Sequence, residues 1–159
     1  MILQTALQHE KYLRENLIDP PRKMLDCGFD LQAVLLMAQS FEIYGAYFDN
    51  KPFRASGQSL KRFNLAIKNL FNYKYHLSNR NNMLYTQMRA MFIHSLLPGE
   101  GLLIKQVGTV AEHLQISNGI ITIIPAVLHE DVKEAGINLI ERLNTGTIIP
   151  KRISTSWFS

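Results

Sequence analysis

Between Thr5 and Ile18 the apolar residues Leu7, Tyr12, Leu13 and Leu17 recur at helical spacing among charged ones, and Asp19-Pro20-Pro21 is expected to end that first helix abruptly. The next apolar stretch, "LQAVLLMAQSFEIYGAYF" from Leu31 to Phe48, is densely hydrophobic, with Gln32, Gln39, Glu42 and Ala46 falling near one line. It predicts a central helix with one narrow polar stripe. "DNKPFRASGQ", Asp49 to Gln58, has the composition of a loop, after which Ser56 or Ser59 is placed to cap a third helix. That helix runs through "SLKRFNLAIKNLFNYKY" with Leu60, Phe63, Ile67, Leu70 and Phe71 on one side, until "HLSNRNN" breaks it. A fourth helix from about Asn82 to Leu97 is stopped by Pro98-Gly99.

Beyond that stop the pattern changes. "LLIKQVG" is a short apolar run, and "EHLQISNGIITIIP" sets Asn118-Gly119 between two apolar or alternating runs, the strongest hairpin signal in the chain. "VLHEDVKEAGINLIERLN", Val127 to Asn144, predicts a fifth amphipathic helix with Val132, Ala135, Leu139, Ile140 and Leu143 inward. The expected class is mainly α, of α+β type: a four-helix bundle, then a C-terminal β-hairpin at about residues 100–126, then a further helix. A chain of 159 residues that is 47% hydrophobic can enclose one core rather than two, so residues 1–144 are expected to form one domain. Residues 145–159 are left as a slightly basic tail, with Trp157 and Phe158 available to dock on the body or on a partner.

Charge narrows the picture only a little. Seventeen Lys and Arg against thirteen Asp and Glu give a net charge of +4, which favours anionic partners without demanding nucleic acid. Cys27 is the sole cysteine, so neither an intrachain disulfide nor a thiolate metal cluster can form, and a cytoplasmic setting is expected. No signal-peptide pattern and no membrane-spanning run is evident. His9, His76, His113 and His129 lack ligand spacing, so no metal and no cofactor is expected.

The fourth helical segment carries the most informative chemistry. On a wheel turned by about 100° per residue, Leu84, Tyr85, Met88, Met91, Phe92 and Leu96 share the core arc. Arg89 and His94 stand about 140° apart on the opposite arc and about 7.5 Å apart along the axis, with Met83, Thr86, Ala90, Ile93 and Leu97 between them. Small and apolar residues flanked by a cation and a titratable ring suggest a second contact surface, against another helix or another copy of the chain. A phosphate fits between the two: arginine offers planar paired donors, and histidine exchanges protons near neutral pH. The plainer alternatives are a surface arginine covering apolar neighbours and a helix-end histidine favoured by the dipole.

Arg89-Ala90-Met91-Phe92-Ile93-His94 reads R-x4-H, which resembles the Rx4-6H signature of the HEPN superfamily (higher eukaryotes and prokaryotes nucleotide-binding domain). The resemblance covers roughly Leu31 to Pro98: a long apolar helix, a polar loop, and a last core helix bearing the motif before Pro-Gly. It implies a four-helix bundle and, in active members, metal-independent cleavage of RNA at a composite cleft where two motifs meet across a homodimer. His94 would then move protons as a 2′-hydroxyl attacks phosphorus, and Arg89 would hold the phosphate. It also implies a link to toxin and defence systems, in which a further protein partner is common. Active members often place a polar residue after the arginine, where this chain has Ala90. A catalytically silent module that binds a nucleotide or protein therefore stands beside the ribonuclease.

Other candidates are secondary. Glu42, the lone acid in the apolar body of its helix, is either a partner that orients Arg89 or His94 or, as the stripe with Gln32 and Gln39 favours, a solvated charge. Tyr85 lies one turn before Arg89 but points toward the core on the wheel. Lys51, Arg54, Lys61 and Arg62, interleaved with Phe53 and Phe63, have the makings of a surface for an RNA backbone and its bases, although ordinary solvation of a loop explains them equally well.

Overall fold

The first helix starts from a capping box: the Thr5 hydroxyl accepts the Gln8 N–H while Gln8 Oε1 accepts the Thr5 N–H. The structure, a computed structural model, describes residues 2–90 and 97–154. Helix α1 (Ala6–Leu13) does not stop at the prolines. It widens into a π-helical turn over Arg14–Ile18 and continues as α2 (Asp19–Asp26), with the prolines in the first turn of α2. The Asp19 N–H reaches back five residues to the Arg14 carbonyl, and the prolines' missing donors fall just after this widened turn, so Pro20 and Pro21 are accommodated where they were expected to break the chain. Gly28, at φ +77°, supplies the left-handed conformation that ends α2.

Helix α3 (Asp30–Gly45) occupies the middle of the molecule, packed against α2, against α4 (Ser59–Leu70) and against α7 (Pro125–Asn144). Ala33, Val34, Met37, Ala38, Phe41, Tyr44 and Gly45 are buried, so the helix is covered on most of its circumference. Gly45 passes so close to α4 that an added Cβ would overlap the Arg62 carbonyl. Phe41 stacks between Phe63 (4.6 Å) and Phe71 (4.2 Å), joining α3 to both ends of α4.

The third predicted helix is two helices. Phe71 turns extended (φ −106°, ψ 157°), and Asn72 caps α5 (Tyr73–Ser78) by accepting the Lys74 N–H at 3.0 Å. Neither Ser56 nor Ser59 caps α4; Gln58 holds that position without a side-chain bond. Asn81 and Asn82 take left-handed backbone conformations, which asparagine tolerates, and lead into α6 (Met83–Tyr85). Asn79 Oδ1 accepts the Tyr85 N–H at 2.9 Å, and Asn64 links the Asn79 and Asn82 side chains.

Strands β1 (Ile2–Leu3) and β5 (Ile153–Ser154) pair antiparallel, so residues 145–154 belong to the folded body rather than to a loose tail. Trp157 and Phe158 lie outside the described residues. The second sheet has the order β2-β4-β3, with β2 (Leu102–Ile104) parallel to β4 (Ile120–Ile123) and β3 (Ile116–Ser117) antiparallel to it. Asn118 (φ 50°) and Gly119 (φ 77°) form the expected hairpin turn between β3 and β4. The result is mainly helical with two small sheets, and Val132, Ala135, Leu139, Ile140 and Leu143 of α7 all face the core. Leu7 and Leu60 do not: both are exposed.

A polar network ties α5, the β region and α7 together. The Ile124 N–H donates to His113 Nδ1 (3.1 Å), His113 Nε2 meets the Tyr75 hydroxyl (3.1 Å), and that hydroxyl donates to Asp131 Oδ2 (2.7 Å). Because Nδ1 accepts, the neutral ring carries its proton on Nε2 and donates it to Tyr75. Burial, with a contribution from the Lys74 charge, lowers the His113 pKa to about 4.

Two outcomes follow. Gly45→Ala forces the α3–α4 crossing apart and lowers unfolding free energy in urea by about 2–3 kcal/mol or more. Acid titration of stability carries a contribution from His113: its folded pKa lies below its unfolded value, so the unfolded chain binds the extra proton. That contribution is fully present above pH ~6.5 and falls by up to roughly 3 kcal/mol as the pH drops to ~4. His113→Asn, which can still accept the Ile124 N–H, flattens the slope of unfolding free energy across that interval.

Candidate functional site

Arg89 sits on a π-helical turn, Thr86–Ala90, that follows α6 directly. A π turn advances less per residue than the about 100° of an α-helix, so the wheel that placed Arg89 relative to Leu84 and Tyr85 does not carry through Thr86–Ala90. His94 lies outside the described residues, as do Met91, Phe92, Ile93 and Leu96. The core positions ahead of them hold: Leu84 and Met88 are fully buried and Thr86 is exposed.

Arg89 is half-buried and bound to α3. Its Nε edge forms an ion pair with Glu42 Oε1, and Nη1 donates to the Tyr85 hydroxyl at 3.4 Å, with the guanidinium carbon 5.9 Å from the Tyr85 ring centre. Tyr85 rests edge-on against Phe63 at 5.3 Å. Glu42 is therefore not a solvated charge on the α3 stripe. An acid that far into an apolar helix needs a partner when it is buried, and the side chain is only 14% exposed. Tyr85 is half-buried, with its ring on the core and its hydroxyl at the arginine. Three of the residues singled out from sequence, Glu42, Tyr85 and Arg89, thus converge on one spot.

Beside Glu42 lies a hollow of about 180 Å³ lined in part by Gln39, Phe53, Ser59 and Arg62. Arg62 does not belong to an exposed basic surface. It is buried, with Nε on Asp49 Oδ2 at 2.7 Å, Nη1 donating to the Phe53 carbonyl at 2.6 Å and Nη2 to the Pro52 carbonyl at 2.8 Å. Lys151 completes the cluster, donating to Asp49 Oδ1 at 2.6 Å and to the Lys51 carbonyl at 2.8 Å. Burial works to raise the Asp49 pKa, but Arg62, Lys151 and the Lys51 N–H outweigh it and hold the carboxyl at about 2. Lys51 and Arg54 stay exposed, although Arg54 donates to the Ser154 carbonyl at 3.1 Å. The loop's basic residues divide accordingly: Arg62 builds the loop, and Lys51 and Arg54 line its surface.

Asp49 and Lys151 were not foreseeable as a pair. They are 102 positions apart, and neither flanks a motif. Among the described residues no group of three or more His, Cys, Asp or Glu side chains is placed to hold a metal ion. Among them, too, no helix is long and apolar enough to cross a membrane.

No protein-family model matches the chain, and neither the curated proteins nor the solved structures yield a match.

The Arg62 cluster gives a direct test. Arg62→Met leaves Asp49 buried with Lys151 as its one remaining cationic partner among the described residues and should cost roughly 3–5 kcal/mol of unfolding free energy, read by urea denaturation. Lys51→Ala and Arg54→Ala, at the surface, should each stay within about 0.5 kcal/mol of the parent.

Proposed function

We propose that this chain is an HEPN-like RNA-binding protein that cleaves RNA without metal, using Arg89 and His94 of R-x4-H at a cleft completed by a second copy of the chain. The observation that carries this reading is the ion pair between Arg89 and Glu42 beside the Tyr85 hydroxyl. An arginine serving only to cover apolar surface would need neither an acid from the central helix nor a phenol to fix its plane.

In this reading Glu42 and Tyr85 are positioning residues. They hold the guanidinium so that its remaining N–H donors meet a phosphate oxygen, where paired donors stabilise the charge growing on phosphorus. His94 takes the proton from the attacking 2′-hydroxyl and returns one to the leaving oxygen. Lys51 and Arg54 supply a salt-sensitive hold on the RNA backbone.

A second reading has its own support. Glu42 partly neutralises Arg89, and Ala90 offers no polar group next to it. Both features suit a module that binds a nucleotide or protein and cuts nothing.

Purified protein incubated with labelled single-stranded RNA in excess EDTA is expected to yield fragments ending in 2′,3′-cyclic phosphate. His94→Ala should lower the rate by about 10²–10⁴ and Arg89→Ala by about 10²–10³. Glu42→Gln should lower kcat by roughly tenfold while leaving the fold intact by circular dichroism. RNA retention without cleavage would favour the silent module, and an RNase activity indifferent to both His94 and Arg89 would remove the reading altogether.

A further inference from the structure

The His113–Tyr75–Asp131 network does not end in the core. It ends at a carboxylate on the wall of a cavity of about 320 Å³, bounded by Tyr73 and Lys74 of α5, Asp131 and Val127 of α7, and Val110 and Leu114 from the segment between β2 and β3. His113 and Tyr75 are buried, whereas the Asp131 side chain is 23% exposed. The donor direction is set from inside: the Ile124 amide fixes the His113 tautomer, His113 donates to Tyr75, and Tyr75 donates to Asp131 Oδ2. Asp131 is thereby held in one orientation, with the acceptor capacity of its other oxygen still to be met. Burial, the larger influence, raises its pKa despite the Tyr75 hydrogen bond, as an acid does when it lacks a full counter-charge.

The rest of the lining narrows the ligand. Lys74 places an ammonium at the same cavity and donates to the Val110 carbonyl at a long 3.4 Å, a contact that leaves it able to pair with an anion. Val110, Leu114 and Val127 give an apolar wall, and Tyr73 presents a largely exposed ring at the rim. The volume lies at the low end of small-molecule pockets and leaves room for a small metabolite. A ligand that satisfies one fixed carboxylate, one ammonium and an apolar wall together carries a cationic donor, an anion and an apolar body.

We propose that this cavity binds a free α-amino acid with an apolar side chain, its ammonium on Asp131, its carboxylate on Lys74 and its side chain against Val110, Leu114 and Val127. The site is separate from Arg89 and stands whether or not the chain cleaves RNA. Asp131 is the specificity-determining residue, and Tyr75 and His113 are its positioning residues.

Isothermal titration of the full chain with L-leucine and L-phenylalanine, to about 10 mM, tests this. Saturable binding of at least one is expected. Isoamylamine and phenethylamine, which lack the carboxylate, and 4-methylvalerate and 3-phenylpropionate, which lack the ammonium, should bind at least about tenfold more weakly. Asp131→Asn, which can still accept from Tyr75, should weaken binding by about tenfold or more, and the exposed Lys74→Ala by several-fold. Arg89→Ala should bind the amino acid as the parent does, which separates this site from the RNA reading. No heat from either amino acid, equal binding of the half-ligands, preference for guanosine monophosphate, or an unchanged affinity in a folded Asp131→Asn variant would each overturn the proposal.

Discussion

The crossing of α3 and α4 at Gly45 sets the geometry of nearly everything else. With no side chain at that point, the α3 backbone lies against the Arg62 carbonyl, and the two helices come close enough for Phe41 and Phe63 to stack. The close approach sets Arg62 beside Asp49, just beyond the end of α3, and brings the middle of α3 within reach of the Thr86–Ala90 turn. Hydrophobic burial supplies the driving force, but a methyl-sized gap at Gly45 decides which side chains meet.

Three basic side chains are drawn into the body: Arg62 and Lys151 close on Asp49 and Arg89 closes on Glu42, so these three are less available to partners. Buried or half-buried pairs of this kind contribute little net stability, yet breaking one is costly, so they act as registers more than as glue. Asp49 illustrates this: one carboxylate fixes the loop at 49–58 through Arg62 and the C-terminal segment through Lys151. The C-terminal segment in turn pairs β5 with β1, which is how the residues beyond 145 come to be part of the body.

Much of the fold was legible in local patterns. The buried face of α7, the Asn118-Gly119 hairpin and the central position of α3 follow from spacing and turn chemistry that act over a few residues. The misreadings share one cause. Pro20-Pro21 reads as a stop in isolation, but the π-helical turn before it lets the rod go on with both prolines in a first turn. Phe71 reads as one more apolar position of a helix, but its backbone is extended and its ring stacks on Phe41, 30 positions back. Glu42 reads as solvated on its stripe, because nothing near it in sequence announces Arg89, 47 positions on.

By itself the sequence determined roughly where the helices and the hairpin form and which faces are apolar, since these depend on contacts between near neighbours. Tertiary structure alone decided which charges are consumed: that Arg62 is structural, that Glu42 and Tyr85 hold Arg89, and that Tyr75, His113 and Asp131 line up toward a cavity. Apart from Tyr85, one turn before Arg89, those partners are 13 to 56 positions apart. A buried polar atom must find a partner wherever the packed backbone offers one, and no local pattern of hydrophobic and polar residues encodes that choice.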